Sequence, residues 1–557
     1  CNNYAELGAG CYFESDGDNQ GQGFISSHFV KIYRSNINNN SCELRGGGVF
    51  GSNINLEIYN SNITNNSQTN GGGSNTGGGG LNFEFGKMVS KNNLIKSNSA
   101  YEGGGIYNYR ADVSSYGDSI IFNNAFQGAG GGWFATGNLE PDTLSIFNLS
   151  LLNNSAQNGG GGMGLGALTM IMENSVIANN ICEQWGGAFY VTSGNHLFDD
   201  VIITNNTANN NAGAIRLING NVDMINSIIT NNKTNGSIGG FWSQTNSNFS
   251  NVTIAYNQGN GFSGNGMFNS STIFSNENIG IENRPTISNS NLLGNGYGYS
   301  NNDNSNFGDA INNYWGDISG PYHPSQNPTG LGDSVNAFVY VDPWFTSPNI
   351  DAPPIPAQNT TLTGSGNDFI SLSWDASELG DLAGYKVYYD TDESGYPYEN
   401  SIDVGNVTSY TLSGLALGTA YHIAVTTVDT DDNESWYSNE IMGVTRVMQT
   451  QNLDIGFDFE DLLHLVTHDP LITFRYFDSM NEVQTSYQVQ VSTQVNFSTI
   501  DMWDTGEVTS SDTSITYSGE PLIDGATYYL RAKVGSGTFY SEWATLTFRM
   551  NSTVIMP

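Results

Sequence analysis

The sequence predicts an all-β chain: a parallel solenoid followed by two β-sandwiches. Three observations carry this: an Asn recurring through the first 300 residues, an aliphatic column three places before it, and alternating strands beyond residue 350. The recurring Asn stands at Asn40, Asn66, Asn98, Asn124, Asn154, Asn180, Asn206, Asn232, Asn257, Asn276 and Asn295, at spacings of 26, 32, 26, 30, 26, 26, 26, 25, 19 and 19. Such periods, with Gly-rich punctuation and no 3.6-residue pattern, mark a coil whose turns bury their apolar faces only against one another.

The columns sharpen the reading. Three places before each anchor stand Ile37, Ile63, Ile95, Ile121, Leu151, Ile177, Ile203, Ile229, Ile254, Ile273 and Leu292, an aliphatic set that must face the core. Two places after it the residue is small, as at Cys42, Ala100, Ala156, Cys182 and Ala208. Six places before it runs a second polar column: Asn60, Asn92, Asp118, Asn148, Asn174, Asp200, Asn226 and Asn251. Stacked Asn side chains both donate and accept, and Asn tolerates the left-handed corners of a coil. Both columns are therefore expected to be structural ladders, Asn66, Asn124, Asn180, Asn206 and Asn232 among their members.

The blocks Gly103-Gly104-Gly105-Ile106, Gly187-Ala188-Phe189 and Gly213-Ala214-Ile215, paired with aliphatic-x-x-Asn, carry a resemblance. They resemble the repeats of bacterial polymorphic outer membrane proteins and other right-handed parallel β-helices of the pectin-lyase-like class, over roughly residues 1–345. The resemblance implies a right-handed parallel β-helix and says little about activity, because that coil hosts lyases, hydrolases, adhesins and phage spikes. Asn312-Asn313-Tyr314-Trp315-Gly316 and Pro343-Trp344 resemble the ending of such coils. This implies a first domain over 1–346, with Tyr314, Trp315 and Trp344 covering its last turn.

The long spacings predict inserts at 14–22, around Ser74–Thr76, and at 138–142. Inserts in solenoids often lie at a binding face. In the first, Asp16, Asp18 and Asn19 have calcium-like spacing but lack the full twelve-residue loop, so calcium and a solvated acidic loop both stand. Asn2-Asn3 aligns with Asn179-Asn180, which puts residue 1 in mid-turn. The expectation is a longer precursor or an end that docks on another copy, with a lipid-anchored Cys1 as the competing idea.

Pro353-Pro354-Ile355-Pro356 reads as a linker. Beyond it, Ser371-Leu372-Ser373-Trp374, Tyr385–Tyr389 and Leu412–Val425 alternate as strands. They resemble a fibronectin type III sandwich over 352–446, with Trp374 on its second strand and Tyr421 as corner tyrosine. Trp503–Val508, Tyr528–Ala532 and Ser541-Glu542-Trp543 resemble a divergent sandwich of the same superfamily over 447–557. After residue 346 there are 29 acidic against 6 basic residues, and before it 24 against 10. The acidic excess is concentrated on the modules.

The net charge of −37 argues against a nucleic-acid partner, since phosphate binding needs a basic footprint. It suits a secreted or cell-surface protein in screening, salt-rich surroundings. No run of 18 apolar residues predicts a transmembrane helix. Cys42 and Cys182, five turns apart, should be separate buried thiols, whereas Cys1 and Cys11 are near enough in sequence to pair.

Catalytic chemistry finds little purchase. Lyases need a Lys or Arg base beside a uronate, and the nearest group, Lys87, Lys91 and Lys96, reads as a solvated face. Hydrolases need paired carboxylates, but Asp200 of the Asp199-Asp200 pair falls in the polar column. His28, His196 and His323 share no zinc spacing. No catalytic residue is assigned, and calcium is the one cofactor considered. The candidate site is aromatic: Tyr12, Phe50, Tyr107, Phe134, Phe189, Trp242 and Phe268 follow successive Gly blocks, behind Val49, Leu81, Ile106, Met163, Ala188 and Ala214. Alternation would set Tyr107, Phe134, Phe189, Trp242 and Phe268 outside, to stack sugars or meet a protein. A shift of one residue would make them an internal stack. The expected function is a structural or adhesive protein whose partners are other copies of itself, head-to-tail into a filament or laterally, or extracellular polysaccharide. A polysaccharide lyase or glycosidase, and a non-catalytic carbohydrate-binding protein, are the alternatives.

Overall fold

The computed structural model describes all residues except 1–3, 8–9, 16–27, 71–76, 139–141, 367, 393, 457–463, 466, 480, 538 and 552–557. The chain is all-β, and the described residues contain no helix. It divides into two compact units, one of residues 1–355 with 378–381, the other of the remainder to 557.

In the first unit every strand pair of the coil is parallel, turn upon turn. One turn shows the plan: Phe189–Val191, then Asn195–Thr204, bent where Asp200 takes a φ of +54°, then Thr207–Ala208. The aliphatic column stacks in register, Ile37 on Ile63, Ile63 on Ile95, Leu151 on Ile177 and Ile203 on Ile229. These side chains are buried in one continuous core. The Gly blocks are required by close approach between turns: a Cβ on Gly187 would stand 2.2 Å from the Gly213 carbonyl oxygen. The short-strand sheet that includes Thr207–Ala208 ends at Lys233–Thr234, where the period falls from 25 to 19 residues.

The Asn ladder runs Asn40, Asn66, Asn98, Asn123, Asn154, Asn180, Asn206, Asn232, Asn257, Asn276 and Asn295. From Asn66 onward each Oδ1 accepts the backbone N–H and the Nδ2–H of the Asn one turn back, as Asn206 does from Asn180 at 2.9 Å for both. Each Nδ2 also donates to a carbonyl of an earlier turn, Asn206 to Ile177 at 3.0 Å. Asp333 ends the series, its two carboxylate oxygens taking the N–H of Gly294 and the N–H and Nδ2–H of Asn295.

Two expectations are corrected by one residue. In the fourth turn the ladder member is Asn123, over the buried Ile120, and not Asn124, which is exposed and accepts the Ser155 hydroxyl at 2.8 Å. Adjacent asparagines and adjacent isoleucines made the two registers indistinguishable by residue type. The second polar column is a row of left-handed corners, with φ near +50° at Asn60, Asn92, Asn148, Asn174, Asp200, Asn226 and Asn251; its side chains point outward, with a ladder bond where Asn251 donates to Asn226 at 2.8 Å. The second ladder lies one residue later: Ser61, Ser175, Ser227, Ser271 and Ser290 accept backbone N–H groups of the preceding turn, and so do Asn93, Asn313 and the buried Asp118.

Of the residues expected to cover the last turn, Trp315 is wholly buried in the coil's core and Trp344 packs against that core. Tyr314 belongs to a smaller cluster with Ala255, Phe274, Leu293 and Ile355. Cys42 and Cys182 are buried thiols, their pKa pushed by burial to about 12 and about 11. The pairing of Cys1 with Cys11 and the calcium loop of Asp16, Asp18 and Asn19 lie outside the described residues.

In the second unit the pairing is antiparallel. Thr361–Ser365, Phe369–Ser373 and Ser409–Ser413 face a four-stranded sheet of Asn400–Gly405, Leu382–Asp390, Ala420–Asp429 and Ile441–Val444. Trp374 and Tyr385 pack between them, ring centroids 5.4 Å apart. The Tyr421 hydroxyl accepts the N–H of Ala416, five residues upstream. The following sandwich repeats that device, with the Tyr528 hydroxyl accepting the N–H of Ile523. Arg446 joins the two, its guanidinium 3.4 Å from the Asp478 carboxylate and over the Phe539 ring.

Candidate binding face of the coil

Strand alternation after each Gly block sends the first residue inward and the second outward. The inward column is Val49, Leu81, Ile106, Trp133, Met163, Phe189, Ile215, Phe241 and Phe262, all buried. The outward column, in the same register, is Tyr12, Phe50, Asn82, Tyr107, Phe134, Gly164, Tyr190, Arg216, Trp242 and Ser263. The five predicted aromatics therefore divide. Tyr107, Phe134 and Trp242 lie on the outer column, where Phe134 and Trp242 are half-buried and Tyr107 is buried, against the expectation of exposure; Phe189 and Phe268 are core residues, 0% and 1% exposed. Phe189 was misplaced because Ala188 fills the third position of its Gly block, which moves the inward position one residue on. Phe268 belongs to another face, where it stacks on Phe249 at 4.2 Å.

Along the outer column Tyr12 stacks on Phe50 at 5.1 Å and Tyr107 on Phe134 at 5.6 Å. A Cβ on Gly164 would meet the Phe134 ring at 2.6 Å, so that ring lies across the next turn. Further along, the column joins Trp185 of the preceding corner, which stacks with Tyr190 at 6.3 Å. The Arg216 guanidinium sits between two indoles, 4.5 Å from the Trp185 centroid and 4.4 Å from that of Trp242. Trp185, Tyr190, Arg216 and Trp242 are all half-buried. Arg216 Nε is buried without an acceptor, and among the described residues no carboxylate lies within ion-pair distance of the guanidinium. Burial lowers its pKa from the ordinary value.

The lysines, carboxylates and histidines that a catalytic reading would use occupy structural or solvated positions. Lys87 lies 3.8 Å from Asp112, Lys96 over the Phe122 ring, and Lys91 in register between Tyr59 and Tyr116. Asp200 is an exposed corner, and Asp199 accepts from Asn226 at 3.0 Å. His196 is buried, its pKa driven down to about 4 by desolvation. His323 Nδ1 accepts the N–H groups of Ser325 and Gln326. Sequence reasoning missed Trp185, Tyr190 and Arg216. Reading Ala188 and Ala214 as members of the Gly column would have set Tyr190 and Arg216 in line with Trp242. It also missed a second outward column, Tyr33, Tyr59, Lys91, Tyr116 and Phe147, on another face of the coil.

Comparison with known proteins bears on the second unit. Residues 354–441 match the fibronectin type III domain model, and residues 458–551 match that of the Rha78A-like, N-terminal immunoglobulin domain. These modules are thus of fibronectin type III and immunoglobulin-like type. Over 73 residues, 13% of its length, the chain is 37% identical to the Kelch domain-containing protein SSO1033 of Saccharolobus solfataricus, of which it spans 9%. Among solved structures it is similar to the FN1–FN3 domains of chicken CNTN1, at 10% identity, covering 36% of this chain and 68% of that one with a TM-score of 0.26. It is likewise similar to a two-domain fibronectin type III segment of chicken tenascin, at 17% identity, 35% and 99% coverage and a TM-score of 0.17. An α-L-rhamnosidase from Dictyoglumus thermophilum matches at 28% identity, 18% and 13% coverage and a TM-score of 0.16.

Proposed function

We propose that this is a secreted or cell-surface adhesive protein in which a right-handed parallel β-helix over 1–346 presents an aromatic and cationic face, and the modules 352–446 and 447–557 act as spacers. Parallel crossovers are nearly always right-handed, which supports the hand. Fibronectin type III sandwiches recur in cell-surface proteins, and an acidic surface suits that setting. The resemblance to polymorphic outer membrane repeats agrees with it. The observation that carries the reading is the Trp185–Arg216–Trp242 stack: a half-buried guanidinium with no carboxylate at ion-pair distance among the described residues, flanked by half-exposed rings. Planar rings stack on sugar faces, and a guanidinium recognises carboxylate or sulfate in two-point fashion. The partner that fits is an anionic extracellular polysaccharide.

Calorimetric titration of the full chain with polygalacturonate and with neutral dextran tests this. Binding to the anionic polymer alone is expected, and Arg216→Gln should weaken it about ten- to a hundredfold, the loss of one charge-assisted contact of about 1.5–3 kcal/mol. Unchanged binding in Arg216→Gln and in Trp242→Ala would overturn it. Electron microscopy of the same samples separates the self-associating alternative: fibres that Trp242→Ala disperses would make a second copy the partner on this face.

A further inference from the structure

The first sandwich holds a carboxylate that nothing in the fold explains. Asp390 closes the strand Leu382–Asp390. Alternation there sends Tyr385 and Val387 into the sandwich core and sets Asp390 on the outer face with Tyr388, directly across from His422. Outer-face carboxylates are ordinarily solvated, yet Asp390 is 2% exposed and neither of its oxygens has a hydrogen-bond donor. The groups near enough to act on its charge are the Asp392 carboxylate, the Glu399 backbone amide and the His422 ring. His422 is itself engaged, its Nδ1 2.9 Å from Glu440. A desolvated carboxylate thus lies beside an exposed one, Asp392, and the cationic group nearest to it is already engaged with Glu440. Leaving a buried carboxylate unpaired is among the costlier arrangements a fold can hold.

The chain that follows has the form an ion would need. Asp390-Thr391-Asp392 is followed by Ser394-Gly395, so that oxygen-bearing side chains fall at alternate positions 1, 3 and 5 and a glycine at 6. Gly395 takes a φ of +89°, the sharp turn that position requires in loops that fold around calcium. The turn is fastened to the sheet by Glu440, whose carboxylate accepts from the Ser394 hydroxyl, the Gly395 N–H and the Tyr398 hydroxyl at 2.6, 2.6 and 2.7 Å. Among the described residues no three Asp, Glu, His or Cys side chains form a metal cluster. Apart from the Glu440 carboxylate, which these donors occupy, the oxygens at hand are hydroxyl and carbonyl, a mixed set that suits a hard cation of flexible coordination and not a transition metal.

We propose that Asp390 and Asp392 form a calcium site, their carboxylates holding the ion together with the Ser394 hydroxyl and water. The ion would neutralise the buried Asp390 and pin the connection between Leu382–Asp390 and Asn400–Gly405 to the sheet.

Terbium luminescence on the full chain tests it, because the tyrosines that adjoin the loop, Tyr388 and Tyr398, can transfer excitation to a bound lanthanide. Expected are sensitised emission at one equivalent, displacement by calcium but not potassium, and a loss of affinity of at least about tenfold in Asp390→Asn and in Asp392→Asn. Asp16→Asn combined with Asp18→Asn serves as the control for the other acidic loop and should leave this emission intact. Emission that survives both Asp390→Asn and Asp392→Asn, with each variant folded by circular dichroism, overturns the assignment. So does calcium binding that disappears only in the Asp16/Asp18 control.

Discussion

The coil and the sandwiches solve one problem in opposite ways. Each must satisfy buried polar groups while closing a hydrophobic core. In the coil a residue's partner is its own counterpart one turn away, so Asn180 bonds Asn206 and Asn206 bonds Asn232 through identical atoms. In the sandwiches a buried polar group that is paired has a partner of a different kind, as Tyr421 has in the Ala416 amide or Arg446 in Asp478, and some, Asp390 among them, have none. The repeated solution is extensible and intolerant, since a defect touches both neighbours. The particular solution is local, and its loss stays where it falls.

The sharpest break in this comparison is a ladder substitution. Asn206→Ala removes the acceptor of the Asn180 N–H and Nδ2–H and the donor to Ile177 and Asn232, all buried. At about 1–3 kcal/mol for each group left unsatisfied, the coil should lose about 3–6 kcal/mol, with the second unit's melting unmoved. Denaturation followed separately in each unit checks this. A single transition that shifts as a whole would show the two units to be coupled.

Next in size is a pH effect that both units share. Asp333, which ends the ladder, and Asp390 are each pushed up to about 6, chiefly by burial. Their folded states hold the proton more tightly than an unfolded chain does, whose Asp titrates near 3.8. Stability from these groups is therefore greatest below about pH 4 and is lost as pH rises through about 6. In chelated buffer, Asp390→Asn should flatten this slope in the second unit only. A slope unchanged in that variant would remove Asp390 as its source.

The smallest effect sharpens the contrast between core and face. Trp185→Ala removes one of two indoles around Arg216 at a half-buried site, and should cost the coil about 1 kcal/mol of cation–π and packing energy while weakening polymer binding. A coil destabilised as much as by a core truncation, about 2–5 kcal/mol, would make the stack structural and not a recognition face.

What could be read from the sequence follows the same divide. The aliphatic column was legible because only its inward position demands one residue type; the structure departs from it by a single register, Ile120 for Ile121. The outer column was half legible, because solvent and ligand constrain residue type weakly and register had to be borrowed from the Gly block. Where the block kept Gly in its third position, as before Tyr107, Phe134 and Trp242, the aromatic falls in the outer register, although Tyr107 is buried there; where Ala188 stood, the register slipped. The corner column was legible as left-handed asparagines, but the serine ladder beside it was not, since Ser looks alike as a partner or as solvated filler. In the sandwiches Trp374 and Tyr421 were readable as landmarks, whereas the burial of Asp390 was not: strand alternation alone would expose it.

The ladder is in effect a one-dimensional crystal, and its chemistry includes an instruction to stop. Every amide in it hands on what it receives, accepting at one atom and donating at the other, so nothing in its own pattern limits its length. Asp333 accepts from Asn295 and, once ionised, has no hydrogen with which to pass the pattern forward. Duplicating turns behind it would lengthen the rod without altering either rim, so reach could change between related chains by whole steps while the finishing group and whatever follows it stayed the same.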